Sequence, residues 1–237
     1  MSKGHTLSHD IAVALRTDIL RQRYQSGDRL PSERDLAVRF SASRGAVREA
    51  ISQLEQLGLI QVQPGGARVQ PLEAASIAIL GPMLGLDEQP SVDLVDQFLQ
   101  TFGALVSLTT REAVAKATPE EHQRMLTALA ELKKYRGDFS STEAQSNWLQ
   151  FLEYLTTVSN NLVVKLIGND LRAQFIGQML KSGMKPALSK ATVSSILKRL
   201  DVAIKDSDKN AASRVITEYF DELRVASSQA LESRQAG

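Results

Sequence analysis

The 237-residue sequence has no cysteine, three histidines, one tryptophan and only 5% aromatic residues. Without thiols there is no disulfide, no thiolate metal site and no cysteine nucleophile, a usage that fits a reducing compartment. Long apolar runs are missing as well. The most apolar stretch, residues 74–86, is broken by Gly81 and Pro82 and is too short for a bilayer. The opening MSKGHTLSHD lacks the apolar segment of a secretion signal. A cytoplasmic protein with no membrane contact is expected.

Catalytic signatures are also lacking: there is no P-loop, no G-x-S-x-G elbow, no HExxH and no dinucleotide fingerprint. His5 and His9 stand four apart but near the terminus and with no third ligand. Glu120-Glu121-His122 suits a helix start, where acids complement the dipole. The expectation is therefore no enzyme, no cofactor and no metal. What is present is ordinary globular material, 43% hydrophobic and 23% charged with a net charge of +1. The length allows one large domain or two modest ones. The charge is unevenly placed: residues 1–72 carry ten Lys+Arg, nine of them Arg, against seven acids, and the remainder is net negative.

The first helical pattern spans about residues 8–24, with Ile11, Leu15 and Ile19 forming one stripe. Ser26-Gly27-Asp28 makes a turn. A second helix follows Ser32, its cap, with Asp35 three residues on, and ends near Phe40. Ser43 can cap a third helix over 44–57, whose buried stripe is Val47, Ile51, Leu54 and Leu57, and Gly58 closes it. Two β-type runs, 59–63 and 67–70, joined by Pro64-Gly65-Gly66, read as a hairpin. Beyond an Ala/Gly/Pro-rich connection the periodicity is helical throughout, at about 91–116, 119–136, 141–158, 160–181, 189–206 and 208–233. The expected fold is mainly α: an N-terminal winged helix-turn-helix with a small β-hairpin wing over 1–72, a linker over 73–90, and an antiparallel bundle of about six helices over 91–237.

Three short helices and a Gly-tipped hairpin suggest a winged helix that reads DNA. The first turns of a recognition helix face base edges while flanking elements hold phosphates. Those turns offer Ser43, Arg44, Gly45 and Arg48. Arg34 starts the preceding helix, Gly65 and Gly66 let the wing backbone come close to a phosphate, and Arg68 can follow it into the minor groove. Two readings stand for several of these. Ser43 is a DNA contact or a plain cap, Arg48 is a base reader or a surface partner of Glu49, and Arg29 and Arg39 fit surface charges.

The run Gly27-Asp28-Arg29-Leu30-Pro31-Ser32-Glu33-Arg34-Asp35-Leu36-Ala37, then Ser43-Arg44-Gly45-Ala46-Val47-Arg48-Glu49-Ala50, Gly58-Leu59-Ile60 and the Gly-Gly wing resembles the GntR family of bacterial regulators over about residues 8–70. The resemblance implies DNA contacts by Arg34, Ser43, Arg44, Gly45, Arg48, Gly65 and Gly66. Gly45 departs from the family pattern, in which many members carry a side chain there.

A fainter resemblance, carried by Trp148-x-x-Phe151-Leu152-x-x-Leu155-x-x-x-Ser159-x-Asn161 and Ala203-Ile204-x-x-Ser207-Asp208-x-x-x-Ala212, is to the FadR branch, whose helical C-terminal domain binds an effector. Many members hold a divalent metal there through one Asp and three His. The resemblance places Trp148, Leu152, Leu197 and Tyr219 at those positions, and the domain's single histidine, His122, rules out a three-His site. Phe102 stands where an effector-binding Arg is frequent. The remaining aromatic interior (Phe98, Phe102, Trp148, Phe151, Tyr154, Phe175, Tyr219 and Phe220) is either plain core or a pocket for an apolar, acyl or acyl-CoA-like effector. Candidate lining residues are Phe102, Trp148, Leu152, Asn161, Arg172 and Tyr219. Asn169 and Arg214 are further polar candidates, and Lys181 and Lys185 are cations for a phosphate. The expectation is a sequence-specific transcriptional regulator, repressor or activator. It would be a homodimer on a palindromic double-stranded DNA operator, nucleoid-associated when bound, and switched by a small-molecule effector. The alternative is a dimeric DNA-binding protein without an effector, architectural or constitutive.

Overall fold

The computed structural model describes residues 6–87, 90–181 and 188–235; the side chains of 175–181, 234 and 235 lie outside the description, as do His5 and Lys185. The chain divides into two compact units, residues 1–88 and 89–237.

The first unit begins with α1 (Leu7–Leu20), α2 (Glu33–Arg39) and α3 (Arg44–Gln56). Each starts at a side-chain cap read from the sequence or its equivalent. The Thr6, Ser32 and Ser43 hydroxyls accept from the backbone N–H groups of His9, Asp35 and Ala46, which satisfies donors that a helix start leaves open. Leu15 of α1, Leu36 of α2, and Val47, Ala50 and Leu54 of α3 are completely buried and form the centre of one core. The helix expected over 8–24 stops at Leu20. Gln22 turns left-handed (φ 57°), and the Arg23 N–H returns to the Asp18 carbonyl at 2.9 Å, which closes the helix early.

The hairpin consists of β1 (Ile60–Gln63) and β2 (Gly66–Val69), antiparallel with Ile60 opposite Val69 and Gln63 opposite Gly66. A third extended segment joins it, which the sequence showed only as a turn. Leu30 N–H donates to the Ala67 carbonyl, Val69 N–H to Asp28 and Gly27 N–H to Val69, each at 2.9 Å. Of the stretch 73–90 expected as a linker, residues 73–84 are largely structured. Two 3-10 turns (Leu72–Ala74 and Ile77–Ile79) lead into α4 (Leu80–Leu84). Ile79 is buried in the first core, Ser76 N–H donates to the Leu57 carbonyl at 2.8 Å, and Arg21 donates to the Leu86 carbonyl at 2.6 Å.

The second unit has the six expected helices: α5 (Val92–Lys116), α6 (Pro119–Lys133), α7 (Thr142–Val158), α8 (Leu162–Lys181), α9 (Lys190–Lys205) and α10 (Lys209–Gln235). At the start of α6, Thr118 and Glu121 form a reciprocal capping box with Pro119 at the first helical position. The long pair α5 and α10 is the spine, with α9 on α10 and α6, α7 on α5 and α6, and α8 on α5 and α7. Gly103 permits the close approach at the spine, since a Cβ there would lie 2.6 Å from Cβ of Phe220. Ser107 and Ser213 exchange hydroxyl-to-carbonyl hydrogen bonds across the same pair at 3.2 and 3.1 Å, and Arg224 forks onto Asp96 with two 2.8 Å bonds.

Candidate nucleic-acid interface and effector pocket

The α2–turn–α3 segment displays its arginines. Arg34, Ser43, Arg44, Gly45 and Arg48 are all exposed, although the helices beneath them are buried on their other face. Ser43 caps α3 through its hydroxyl, so the capping role is realised; the same exposed hydroxyl keeps an open lone pair and a donor. A Cβ on Gly45 would meet only Ser43 Oγ, at 3.8 Å, so the fold itself does not demand glycine there. Arg34 and Arg44 make no hydrogen bond or ion pair among the described residues.

Arg48 does not pair with Glu49. Its Nε and Nη2 donate to Oε1 and Oε2 of Glu33, at 3.2 and 3.0 Å, from α3 back to the first position of α2. This contact, with the nearby Arg44 charge adding to it, holds the Glu33 carboxyl below its ordinary range. Arg39 is a structural arginine. It and Arg23 each donate to the Asp18 carboxylate at 2.7 Å, and the Asp18 side chain is only 7% exposed. Arg39 also lies 4.9 Å over the Phe40 ring, so the cluster fastens the end of α2 to α1.

At the wing tip Gly65 (φ 101°) and Gly66 (φ 122°) adopt backbone angles that L side chains avoid. A Cβ on Gly66 would fall 2.8 Å from Nε of Arg29, whereas one on Gly65 would meet nothing within 4 Å. Gly66 therefore rests on the Arg29 guanidinium, and Gly65 is open to a partner. Arg68 spends one donor on the Gly27 carbonyl at 2.9 Å and is otherwise exposed. Arg29 thus belongs to the wing, which residue-by-residue reading could not find because its neighbour is 37 positions away.

In the second unit the aromatic side chains converge. Trp148 stacks on Phe151 at 5.7 Å and meets Tyr219 edge-on at 5.0 Å; Phe220 continues the chain to Phe102 at 5.7 Å. Beside them is an apolar cavity of about 120 Å³ whose walls include Phe102, Trp148, Leu152, Arg172 and Tyr219. An adjoining cleft shares Phe102, Leu152 and Arg172 and adds Lys165 and Asn169. Arg172 bonds to Glu153 at 2.9 Å and Asn169 at 3.4 Å. Asn161 is not in the walls. It sits at the start of α8 and accepts from Val164 N–H at 3.2 Å. Arg214 faces an outer α9–α10 groove with Lys198 and Arg199. The side chains of Phe175 and Lys181 lie outside the description.

Of the four positions where the resemblance placed metal ligands, Trp148, Leu152 and Tyr219 line the cavity and Leu197 is buried nearby on α9 without lining it. An indole, two isobutyl groups and a neutral phenol do not make a divalent-cation site. Among the described residues no group of three or more His, Asp or Glu is placed to hold a metal.

Burial pushes the Tyr219 phenol up to about 12, with the adjacent Trp148 N–H pulling weakly the other way. The Trp148 Nε1–H itself is buried without a well-formed hydrogen bond. The phenol ionises near pH 10 when unfolded and only near pH 12 when folded. The associated stability is therefore intact below pH 10 and is lost as the pH rises from 10 to 12. The loss is expected to reach about 3 kcal/mol and to be absent in Tyr219→Phe, which denaturant titrations of both proteins across this range will show.

Residues 7–69 match the family model described as "Bacterial regulatory proteins, gntR family". An uncharacterised HTH-type transcriptional regulator of Mycobacterium tuberculosis is 31% identical over 121 residues, 50% of this chain and 49% of that one. A fatty acid metabolism regulator protein of Haemophilus influenzae is 27% identical over 154 residues, 64% of this chain and 61% of its own. The chain thus spans about half to three-fifths of these relatives' lengths. A solved structure titled "Lar controls the expression of the Listeria monocytogenes agr system and mediates virulence" superposes with a TM-score of 0.56 at 16% identity, over 96% of this chain and 99% of that one, and shares the fold. Both sequence relatives are named as regulators.

Proposed function

We propose that the chain, whose residues 7–69 match the GntR family model, is a sequence-specific DNA-binding transcriptional regulator. It acts as a homodimer, with α3 of each protomer in a major groove and the wing alongside on the backbone or in the minor groove. Two-fold protein symmetry then calls for a palindromic operator. The observation that carries the reading is the pair of exposed arginines, Arg44 and Arg48, in the first turns of α3, whose other face is core, with Arg34 exposed at the start of α2. DNA contact also falls to Ser43, Gly45, Gly65, Gly66 and Arg68.

Selecting bound duplexes from a randomised pool tests this. A short inverted repeat is the expected result. A flat profile means a non-specific architectural binder and defeats the proposal.

The helical unit serves as the effector and dimerisation domain, with the ligand in the cavity beside Trp148 and Tyr219. Its volume of about 120 Å³ compares with the roughly 150 Å³ apolar cavity that takes up benzene. This favours a ring-sized or short branched apolar body over a long acyl chain. Cytoplasmic placement, on the nucleoid when DNA is bound, belongs to the same reading. Among the described residues no helix is long and apolar enough to cross a membrane.

A further inference from the structure

Glu33 is a carboxylate among the exposed arginines Arg34, Arg44 and Arg48 of α2 and α3. Its position at the start of α2 complements the helix dipole, but that role needs no partner on α3. Instead it grips Arg48 through both oxygens, closing the Nε–Nη2 edge of the guanidinium. The Glu33 side chain is 37% exposed and that of Arg48 74%, so the acid sits inside and the arginine outside. Exposed ion pairs add little stability, so the pair is poorly explained as a staple of the fold.

Its geometry has a sharper consequence for binding. With one edge held, Arg48 keeps two Nη1 hydrogens and one Nη2 hydrogen, and one from each nitrogen forms the outward end. That end is a fork fitted to the O6 and N7 of guanine. The carboxylate also cancels much of the attraction that would draw the same guanidinium to a phosphate. Arg34 and Arg44 form no ion pair among the described residues; Arg44 feels the Glu33 charge without being gripped by it.

We infer that Glu33 is a specificity-determining positioning residue that reserves Arg48 for a guanine edge and withholds it from the DNA backbone. This rests on α3 being the DNA-reading helix. A protein built this way gives up some general affinity to gain discrimination, which is selection by penalising the wrong partner.

The test compares wild type, Glu33→Gln and Arg48→Lys on three DNA classes over a range of salt. These are the duplex the wild type selects from a random pool, its single-base variants, and a scrambled duplex of equal length. Glu33→Gln keeps the shape and loses the charge. It is expected to bind the scrambled duplex more tightly, with a salt slope steeper by about one unit. Its preference at one G·C pair in each half-site is expected to fall by more than about fivefold. Arg48→Lys, which keeps the charge and loses the fork, is expected to lose preference at that same pair. Preferences within about fivefold of wild type at every position in Glu33→Gln overturn the inference while leaving α3 as the reader. Losses by the two variants at different base pairs also overturn it. If the wild type selects no sequence, the DNA-reader reading fails and this inference goes with it. Melting curves accompany the set. Should Glu33→Gln melt well below wild type, Arg48→Lys decides alone: an unchanged preference refutes the guanine contact, and a loss confined to one pair upholds it.

Discussion

Replacing Arg44 and Arg48 together by alanine is expected to bring operator binding down by on the order of 30- to 10⁴-fold, towards the level of non-specific DNA. Each single replacement accounts for about 5- to 150-fold, the discrimination a good bidentate base contact supplies. The residues lie one turn apart on α3, so their effects need not add. Neither side chain reaches the core formed by Val47, Ala50 and Leu54, so both variants should melt like the wild type. Fluorescence anisotropy on the selected duplex and on a scrambled one separates the two components. The specific duplex should lose most, and the gap between the two curves should close. A double variant that keeps the wild-type gap would show that α3 does not read the bases.

The second large effect concerns Trp148, which is 4% exposed and touches Phe139, Phe151 and Tyr219. Trp148→Ala removes the wall between these rings and is expected to cost about 3–5 kcal/mol, the usual range for deleting a buried aromatic side chain. The unfolding transition of the helical unit should fall while that of the N-terminal unit stays in place, which calorimetry can follow. The same cavity enlargement makes a second readout. Small aromatic compounds should raise the melting temperature of the variant more than that of the wild type, because added apolar space invites a ring. If Trp148→Ala melts within a degree or so of wild type, the side chain is not a wall of the interior.

Much of this was legible in the chain because its signals are local. Ser32 and Ser43 cap α2 and α3 where hydroxyls precede helical periodicity, and Thr118-Pro119 with Glu121 marks the start of α6. Gly137-Asp138, Ser159-Asn160 and Asp206-Ser207 break the 3.6-residue pattern after α6, α7 and α9. What escaped was made by contacts between distant residues. Glu33 meets Arg48 across 15 positions and Asp18 meets Arg39 across 21, and no spacing rule announces either. The extended segment at 27–30 gains its strand-like character only from β2, some 40 residues on. Residues 73–90 read as a linker because Ala, Gly and Pro dilute the periodicity, yet Ile79 finds a place in the first core. The cavity wall was read in part: Phe102, Trp148, Leu152, Arg172 and Tyr219 share it, and Asn161 went to a cap because its side chain is nearest its own helix start.

The pairing of residues 27–30 with β2 bears on how such a reader can be controlled. The same short stretch that bonds to the wing runs straight into Pro31, the Ser32 cap and Arg34, and the Asp18 cluster fixes the far end of α2 to α1. The wing and the helix-turn-helix are therefore joined by backbone hydrogen bonds and an ion-pair cluster, like two jaws of one caliper. A signal cannot widen or narrow the jaws without breaking backbone hydrogen bonds. In the proposed homodimer its economical course is to turn the caliper as a whole, so that the spacing between the two readers, and not the grip of either one, would decide whether an operator is held.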